Sequence, residues 1–406
     1  MDQPIELEMA ISHLIAQIPR QRKTRQVQLL DALDCYLAED LYAPIHVPTF
    51  NRSAMDGYAV KSAWTKGVTK KKPLQLKVVG EVVAGVSEKK LAHENCAMHI
   101  MTGAQIPEGY DAVVRLEDTN NGQQDVQIYT EVKAYTNYGV KGEDMKKGEF
   151  VLSRKTKLTP VHLGVIASLG IVQIKVLQPL KVGLISTGNE LAKCGEPLKE
   201  GQIYNSNQMI LAGRLKELKV ELVYTAQLDD DVTAISEQIK KQLAEVDVII
   251  TTGGVSVGKK DMMPVVIKKL NAKRLFWKIN IQPGTPVLAS TYEGKLILSL
   301  SGNPFAALTT FELLFRPVLS AFMTVNDEGL IRKKARLMND FSKASKRRRF
   351  VRAYYKEGQV FLTTEKHASS VLSSMLICNC FIDFTAGSTP VEKGSWVNVV
   401  LISQSY

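Results

Sequence analysis

Three short glycine-bearing segments have the composition of oxyanion cradles: STGNE at 186–190, TTGGVSVG at 251–258 and SGNP at 301–304. Glycine lets backbone N–H groups turn inward and approach an anion closely, and a helix that follows adds its positive end. Gly188, Gly253, Gly254, Gly258 and Gly302 supply that freedom, with Ser256, Ser301 and Asn303 beside them as polar side chains. Acids recur at matching places: Glu190 within STGNE, Asp230 within LDDD, and Asp261 just after the middle segment. A hard cation such as Mg2+ takes a few carboxylate oxygens together with water and phosphate oxygens, so three such acids beside an anion cradle would hold a metal against a phosphate. Helix N-capping is the alternative for Asp261 and for Asp230 or Asp231, and it accounts less well for Glu190.

The middle segment also comes close to a Walker A motif, because 253–259 satisfies GxxxxGK. In that motif the next residue is Ser or Thr, whose hydroxyl binds Mg2+. Here it is Lys260, followed by Asp261, so the hard ligand has moved to a carboxylate. A P-loop-like phosphohydrolase remains the competing enzymatic reading.

The elements that must position these groups follow from hydrophobic periodicity. From Lys181 onward, KVGLIST, VELVYTAQL and VDVIITTGG read as buried strands, and NSNQMILAGRLKEL and VTAISEQIKKQLAEV read as the helices between them. A helix over 262–270, strands near RLFWKI, PVLAST and KLILSLS, and a helix PFAALTTFELLFRPVL complete the segment. Strands alternating with helices of this length predict a parallel, doubly wound, Rossmann-like sheet, and ligands of such sheets bind beyond the carboxyl ends of the strands. All three glycine segments fall at those ends.

Elsewhere the pattern differs. Apolar positions over 5–18 predict a first helix, and a second is expected around 27–35. Short apolar runs broken by Gly, Pro and Asn predict an all-β module over 53–140, PVHLGVIASLG predicts a helix, and short alternating strands after about Arg332 predict a small C-terminal barrel or sandwich. The expected division is 1–52 with 141–178, 53–140, 179–328 and 329–406.

Composition bounds the function. The chain has 406 residues, 45% hydrophobic and 23% charged, which fits a folded multidomain protein. A net charge of +11 favours anionic ligands. The basic clusters at 70–72 and 346–349 lack interleaved aromatics, so they read as solvated faces or loops rather than a nucleic-acid platform. Five scattered cysteines form no CxxC pair, and Cys378 with Cys380 reads as core packing on one face of a strand. No signal pattern opens the chain and no apolar run approaches the roughly 18 residues of a membrane span, so a cytoplasmic protein without a membrane span is expected.

Seven spaced motifs, NRSAMDGYAV, TGAQIPEGYDAVVRLE, GEDMKKGE, STGNEL, TTGGVSVGKKD, PGTP and SGNP, occur in order over nearly the whole chain. Together they resemble the MoeA/gephyrin E-domain family, the molybdopterin molybdenumtransferases. The resemblance implies an elongated homodimer with a helical linker region, an inserted β-domain, a molybdopterin-binding α/β domain and a C-terminal β-barrel. It implies insertion of molybdate into adenylylated molybdopterin, with Mg2+ assisting and AMP released. A MogA-like adenylyltransferase and apo molybdoenzymes are the implied partners. Carried onto this sequence, Glu190, Asp230 and Asp261 match the acidic metal and phosphate site. Asp56, Thr102 and Asp144 match positions that a neighbouring subunit contributes. Lys278, Arg352 and Ser369, with Pro283 and Pro286 of PGTP, match the molybdate-binding positions.

The sequence departs from the family pattern in places. Gln282 and Thr285 stand where the family often has lysines, removing up to two positive charges from the anion pocket. Ser301 replaces a frequent proline, and NYGVKGED leaves Lys141 as the only cation approaching GED. A weakened paralogue, acting as a molybdopterin-binding or scaffold protein, is the alternative these departures allow.

Overall fold

The computed structural model describes residues 3–18, 22–86, 92–255, 262–323, 329–363, 368 and 370–402. They form two compact units, Met1–Lys23 with Leu177–Tyr406, and Thr24–Val176.

The first unit contains the doubly wound sheet. Its strands are β1 (Lys181–Thr187), β2 (Glu221–Leu228), β3 (Val248–Thr252), β4 (Lys273–Trp277), β5 (Leu288–Tyr292) and β6 (Lys295–Leu300), arranged in the order 2-1-3-6-5-4. Helices α1 (Ser206–Glu217), α2 (Val232–Gln242) and α3 (Met263–Lys269) provide the crossovers. Strands β2, β1, β3 and β6 are parallel neighbours. The chain leaves β1 for β2 on one side and then crosses to β3 on the other, which puts the switch point between the carboxyl ends of β1 and β3.

The sheet is not parallel throughout. Strand β5 runs antiparallel to both β4 and β6. Only Glu293 and Gly294, both with positive φ, separate β5 from β6. A two-residue connection of this kind can only join antiparallel strands, whereas a parallel pair needs a long crossover.

Helix α4 spans Pro304–Met323 and contains a π-helical turn at Phe311–Phe315. By length and composition it could cross a membrane, with mean hydropathy 1.3, contrary to the expectation that no apolar run reaches that length. Yet 78% of its apolar window is buried inside the protein. Phe311, Leu313, Leu314 and Phe315 are fully enclosed, and so is Glu312, which accepts from Arg214 Nε at 2.7 Å and Arg316 Nη1 at 3.3 Å. A core helix explains these features. The N-terminal helix Leu7–Ile15 places Leu7, Ala10 and Leu14 in the same core, as a helical stripe should.

The C-terminal part closes into a five-stranded barrel, as expected. Its strands β7 (Ile331–Leu337), β8 (Arg348–Lys356), β9 (Gln359–Leu362), β10 (Cys380–Phe384) and β11 (Trp396–Leu401) pair in the order 8-9-7-11-10, and β10 returns to β8. A short strand, Ile281–Gln282, adds in parallel to β8 with Ile281 opposite Arg348 and Gln282 opposite Arg349. Cys380 is enclosed in the barrel core, while Cys378 packs against the neighbouring core under the α/β sheet.

The second unit carries a five-stranded sheet with Gly57–Val60 between Cys96–Ile100 and Ala112–Arg115, extended by Leu74–Val82 and Asp125–Ile128. The helix expected around PVHLGVIASLG forms at Pro160–Ser168, with Thr159 and His162 completing a capping box. The helix expected around 27–35 does not form. Thr24–Gln28 is a strand paired with Gln173–Leu177, the Leu29 N–H donates to the Val172 carbonyl at 2.9 Å, and only a 3-10 turn, Leu30–Ala32, follows. Pairing with the distant strand satisfies the backbone that a local helix would have used.

Candidate active site

Strands β1, β3 and β6 are neighbours, so their carboxyl ends bring the three glycine segments side by side. The packing there leaves no room for a side chain at Gly253 and only ordinary contact distance at Gly302. A Cβ on Gly253, whose φ is +99°, would lie 2.3 Å from the Thr187 carbonyl oxygen. One on Gly302 would reach the Gly253 Cα at 3.5 Å. The Gly253 N–H donates to the Leu300 carbonyl at 3.1 Å, and the Gly254 carbonyl accepts from Met263 N–H at the start of α3. Ser186, Thr187, Thr251 and Thr252 line the ends of β1 and β3 as buried hydroxyls, with Thr252 Oγ1 and Ser186 Oγ 3.1 Å apart. The third segment is tied in by Ser301 Oγ, which accepts from Asn303 N–H at 3.2 Å.

The acids divide into those the structure connects and those beyond the described residues. Glu190 is exposed, and its carboxylate lies over the first turn: a Cβ on Gly188 would come within 2.7 Å of both its oxygens. Asn189 Oδ1 accepts from Asp230 N–H at 2.9 Å, joining the loops after β1 and β2. Asp231, not Asp230, caps α2 by accepting from Ala234 N–H at 2.8 Å, which answers the capping alternative for this pair. At α3 the N-cap position belongs to Met262, with no side-chain cap. Asp261, Ser256 and Gly258 lie outside the described residues. Among the described residues no group of three or more His, Cys, Asp or Glu side chains could hold a metal.

The residues expected to bind an oxyanion are brought together only in part. Arg352 and Pro283 line one cavity of about 270 Å³, with Gln282, Phe305, Lys343 and Arg349. Arg352 is 1% exposed; its Nη1 and Nη2 donate to the carbonyls of Val371 at 3.2 Å and Ala368 at 2.6 Å, and its Cζ lies 4.5 Å from the Phe305 ring centroid. Burial pulls its guanidinium below the usual arginine range, with the Cys378 thiol acting in the opposite sense. Phe305 follows Pro304 of the third glycine segment, so the cavity adjoins that end of the sheet. Lys278 does not line it: its Nζ sits 4.8 Å from the Trp277 ring centroid. Pro286 is half-buried and also outside the lining, and Ser369 lies outside the described residues.

The basic cluster at 346–349 is a solvated bend in its first half, where Lys346 and Arg347 are exposed, but not in its second. Arg348 and Arg349 open β8, and Arg348 is held by Asp383 at 2.7 Å and Glu8 at 2.6 Å. Arg349 Nη2 donates to Gln282 Oε1 at 3.1 Å, and Arg347 Nη1 to Thr285 Oγ1 at 3.2 Å. Guanidinium groups therefore stand beside the two positions whose missing lysines had predicted a charge-poor pocket.

In the second unit, Asp56 and Thr102 meet. Asp56 Oδ1 accepts from the Thr102 N–H at 2.7 Å and from its hydroxyl at 2.9 Å. The backbone bond first, then the hydroxyl, hold the Asp56 carboxyl below the usual carboxylate range. Asp144 is exposed, with its N–H donating to the Val47 carbonyl at 3.0 Å.

Comparison with known proteins agrees along the chain. Residues 5–170 match the MoeA N-terminal region (domain I and II), 183–321 a probable molybdopterin binding domain, and 334–402 the MoeA C-terminal region (domain IV). The molybdopterin molybdenumtransferase of Bacillus subtilis (strain 168) is 35% identical over 409 residues, covering 99% of this chain and 95% of that protein. The chain belongs to the molybdopterin molybdenumtransferase family. A Haemophilus influenzae member of the same name is 34% identical, covering 97% of this chain and 98% of that protein. Two crystal structures of the molybdopterin biosynthesis MoeA protein from Pyrococcus horikoshii superpose with TM-scores of 0.89 and 0.80 at 29% and 30% identity. They cover 99% and 98% of this chain and 100% of each of those chains.

Within this family fold, sequence reasoning missed Asn207 and Arg349. Asn207 Nδ2 donates to the Gly302 carbonyl at 2.8 Å, and its buried Oδ1 has no partner among the described residues. Its signal was the surplus asparagine in NSN at the start of α1, where Asn205 alone is the cap. Arg349 carried no local signal, because its partner Gln282 is 67 residues away.

Proposed function

We propose that this chain is a molybdopterin molybdenumtransferase that inserts molybdate into adenylylated molybdopterin and releases AMP. The observation that carries the reading is the adjacency of the three glycine segments at the switch point, next to a cationic cavity lined by Arg352 and Arg349. One part suits a phosphate anhydride and the other a tetrahedral oxyanion. Backbone N–H groups of the turns at Gly254 and Gly302 take the phosphate end, those of Gly188 and Gly253 being bonded to the Leu228 and Leu300 carbonyls, and the N-terminus of α4 adds its dipole. Arg352 holds the oxyanion beside it through charge-assisted hydrogen bonds.

Glu190 and Asp230, with Asp261, would hold Mg2+. The exposed Glu190 carboxylate over Gly188, and the Asn189 link from its loop to Asp230, support that reading for the first two acids. The ion supplies neutralisation of phosphate charge. Asp56, Thr102 and Asp144 act from the partner subunit of a homodimer, so assembly is a condition of activity. The setting is the cytoplasm, with a MogA-like adenylyltransferase delivering the pterin and apo molybdoenzymes receiving the product.

The test is AMP release from adenylylated molybdopterin with and without molybdate and Mg2+. Release that requires molybdate supports the assignment. Release indifferent to molybdate, or ATP turnover without pterin, defeats it.

A further inference from the structure

The cavity beside the third glycine segment has an electrostatic feature that the family resemblance does not assign. Its described lining contains Lys343, Arg349 and Arg352 and no acidic residue. Arg348 and Arg349 are adjacent in β8, yet strand alternation sends them to opposite fates. The charge of Arg348 is matched by Asp383 and Glu8, whereas among the described residues the side-chain partner of Arg349 is the neutral amide oxygen of Gln282 at 3.1 Å. The parallel pairing of Ile281–Gln282 with the start of β8 fixes that contact, because Gln282 stands opposite Arg349 in the register. The amide can orient a guanidinium without neutralising it.

We infer that Arg349 is a substrate-binding residue of this chain: aligned by Gln282, it supplies cationic charge for the oxyanion beside Arg352. The inference rests on the function proposed above and extends its oxyanion site by a residue and an orienting partner. Gln282, whose position otherwise lowers the charge of the pocket, becomes the acceptor that holds the arginine in place. A planar guanidinium with several donors suits a tetrahedral dianion better than a single ammonium.

The test is molybdate binding to the full-length protein by equilibrium dialysis, paired with steady-state AMP release. Arg349→Gln should raise the molybdate Kd and the KM for molybdate about tenfold, the scale of losing one charge-assisted contact, while the KM for adenylylated molybdopterin stays unchanged. Gln282→Leu keeps the charge but removes its alignment, and should weaken molybdate binding about threefold; it also serves if Arg349→Gln folds poorly. Lys70→Gln, in the exposed basic cluster of the second unit, controls for general surface charge and should bind like the wild type. Wild-type molybdate affinity in Arg349→Gln, or an equal loss in Lys70→Gln, overturns the inference and leaves the proposed function standing. A wild-type protein that binds no molybdate removes both.

Discussion

The Gly253 backbone lies against the Thr187 carbonyl so closely that an added Cβ would stand 2.3 Å from that oxygen. This contact brings the turn after β3 onto the end of β1, and Gly302 approaches the same glycine from β6. The three-turn cradle depends on it. Gly253→Ala should destabilise the protein by about 1–3 kcal/mol, since the residue combines a positive φ with a backbone clash. Gly302→Ala has no positive φ and meets only an ordinary contact, so it should stay within about 0.5 kcal/mol. Urea denaturation of the two variants, with molybdopterin affinity measured alongside, checks the contrast; equal stabilities would refute it.

The separate roles of Asp230 and Asp231 give a second prediction. Asp231 caps α2, so Asp231→Ala should cost about 1 kcal/mol of stability. Asp230→Ala leaves that cap in place, so it should cost less stability than Asp231→Ala and should raise the Mg2+ concentration needed for AMP release. A stability loss in Asp230→Ala equal to that in Asp231→Ala would assign Asp230 to the fold rather than the site.

Thr102 lowers the pKa of the Asp56 carboxyl. The Asp56 carboxyl is depressed from its ordinary 3.8. A depressed acid contributes stability that is fully present above its unfolded pKa and is lost as pH falls through the folded value, so this contribution fades only below the ordinary aspartate range. Thr102→Val removes the hydroxyl and leaves the backbone bond, which should move the carboxyl part of the way back up. Carbon-detected NMR titration of Asp56 reads the shift directly, and an unchanged midpoint would exclude the hydroxyl as a cause.

Glu312 is fully enclosed in the middle of α4 between Arg214 and Arg316. Burial alone pulls Arg214 down, but the charge and hydrogen bonds of Glu312, joined by Glu217, raise it above the ordinary arginine value. Arg214 and Arg316 also donate to the Ile402 carbonyl, tying α1 and α4 to the end of the barrel. Glu312→Gln leaves the enclosed Arg316 guanidinium without its carboxylate and Arg214 with Glu217 alone, and should cost about 3 kcal/mol. Denaturant unfolding checks this, and a change under 1 kcal/mol would show water reaching the network.

The contrast between what was and was not legible in the sequence has physical causes. β1, α1, β2, α2 and β3 were readable because each is a continuous apolar run or a helical stripe, and the carboxyl-end rule then located the glycine turns. β5 was misdirected because its turn is Glu293–Gly294 rather than the commoner Asn-Gly, which hid a two-residue hairpin. The segment near 27–35 has apolar residues at helical spacing, but Val27 and Gln28 end a strand paired with the distant Gln173–Leu177. The enclosure of Arg352 has no local signal, because it comes from carbonyls at Ala368 and Val371 that lie 16 and 19 residues away. Arg349 is the same case, since its partner arrives on a short strand inserted before β5.

The central claim is that one molybdate is inserted for each anhydride cleaved. Single-turnover reaction of the protein with adenylylated molybdopterin, molybdate and Mg2+ measures it, with AMP and pterin-bound molybdenum quantified in the same samples. The account predicts the two rising together in equal amounts, with the product activating an apo molybdoenzyme. AMP accumulating while the pterin gains no molybdenum would contradict it.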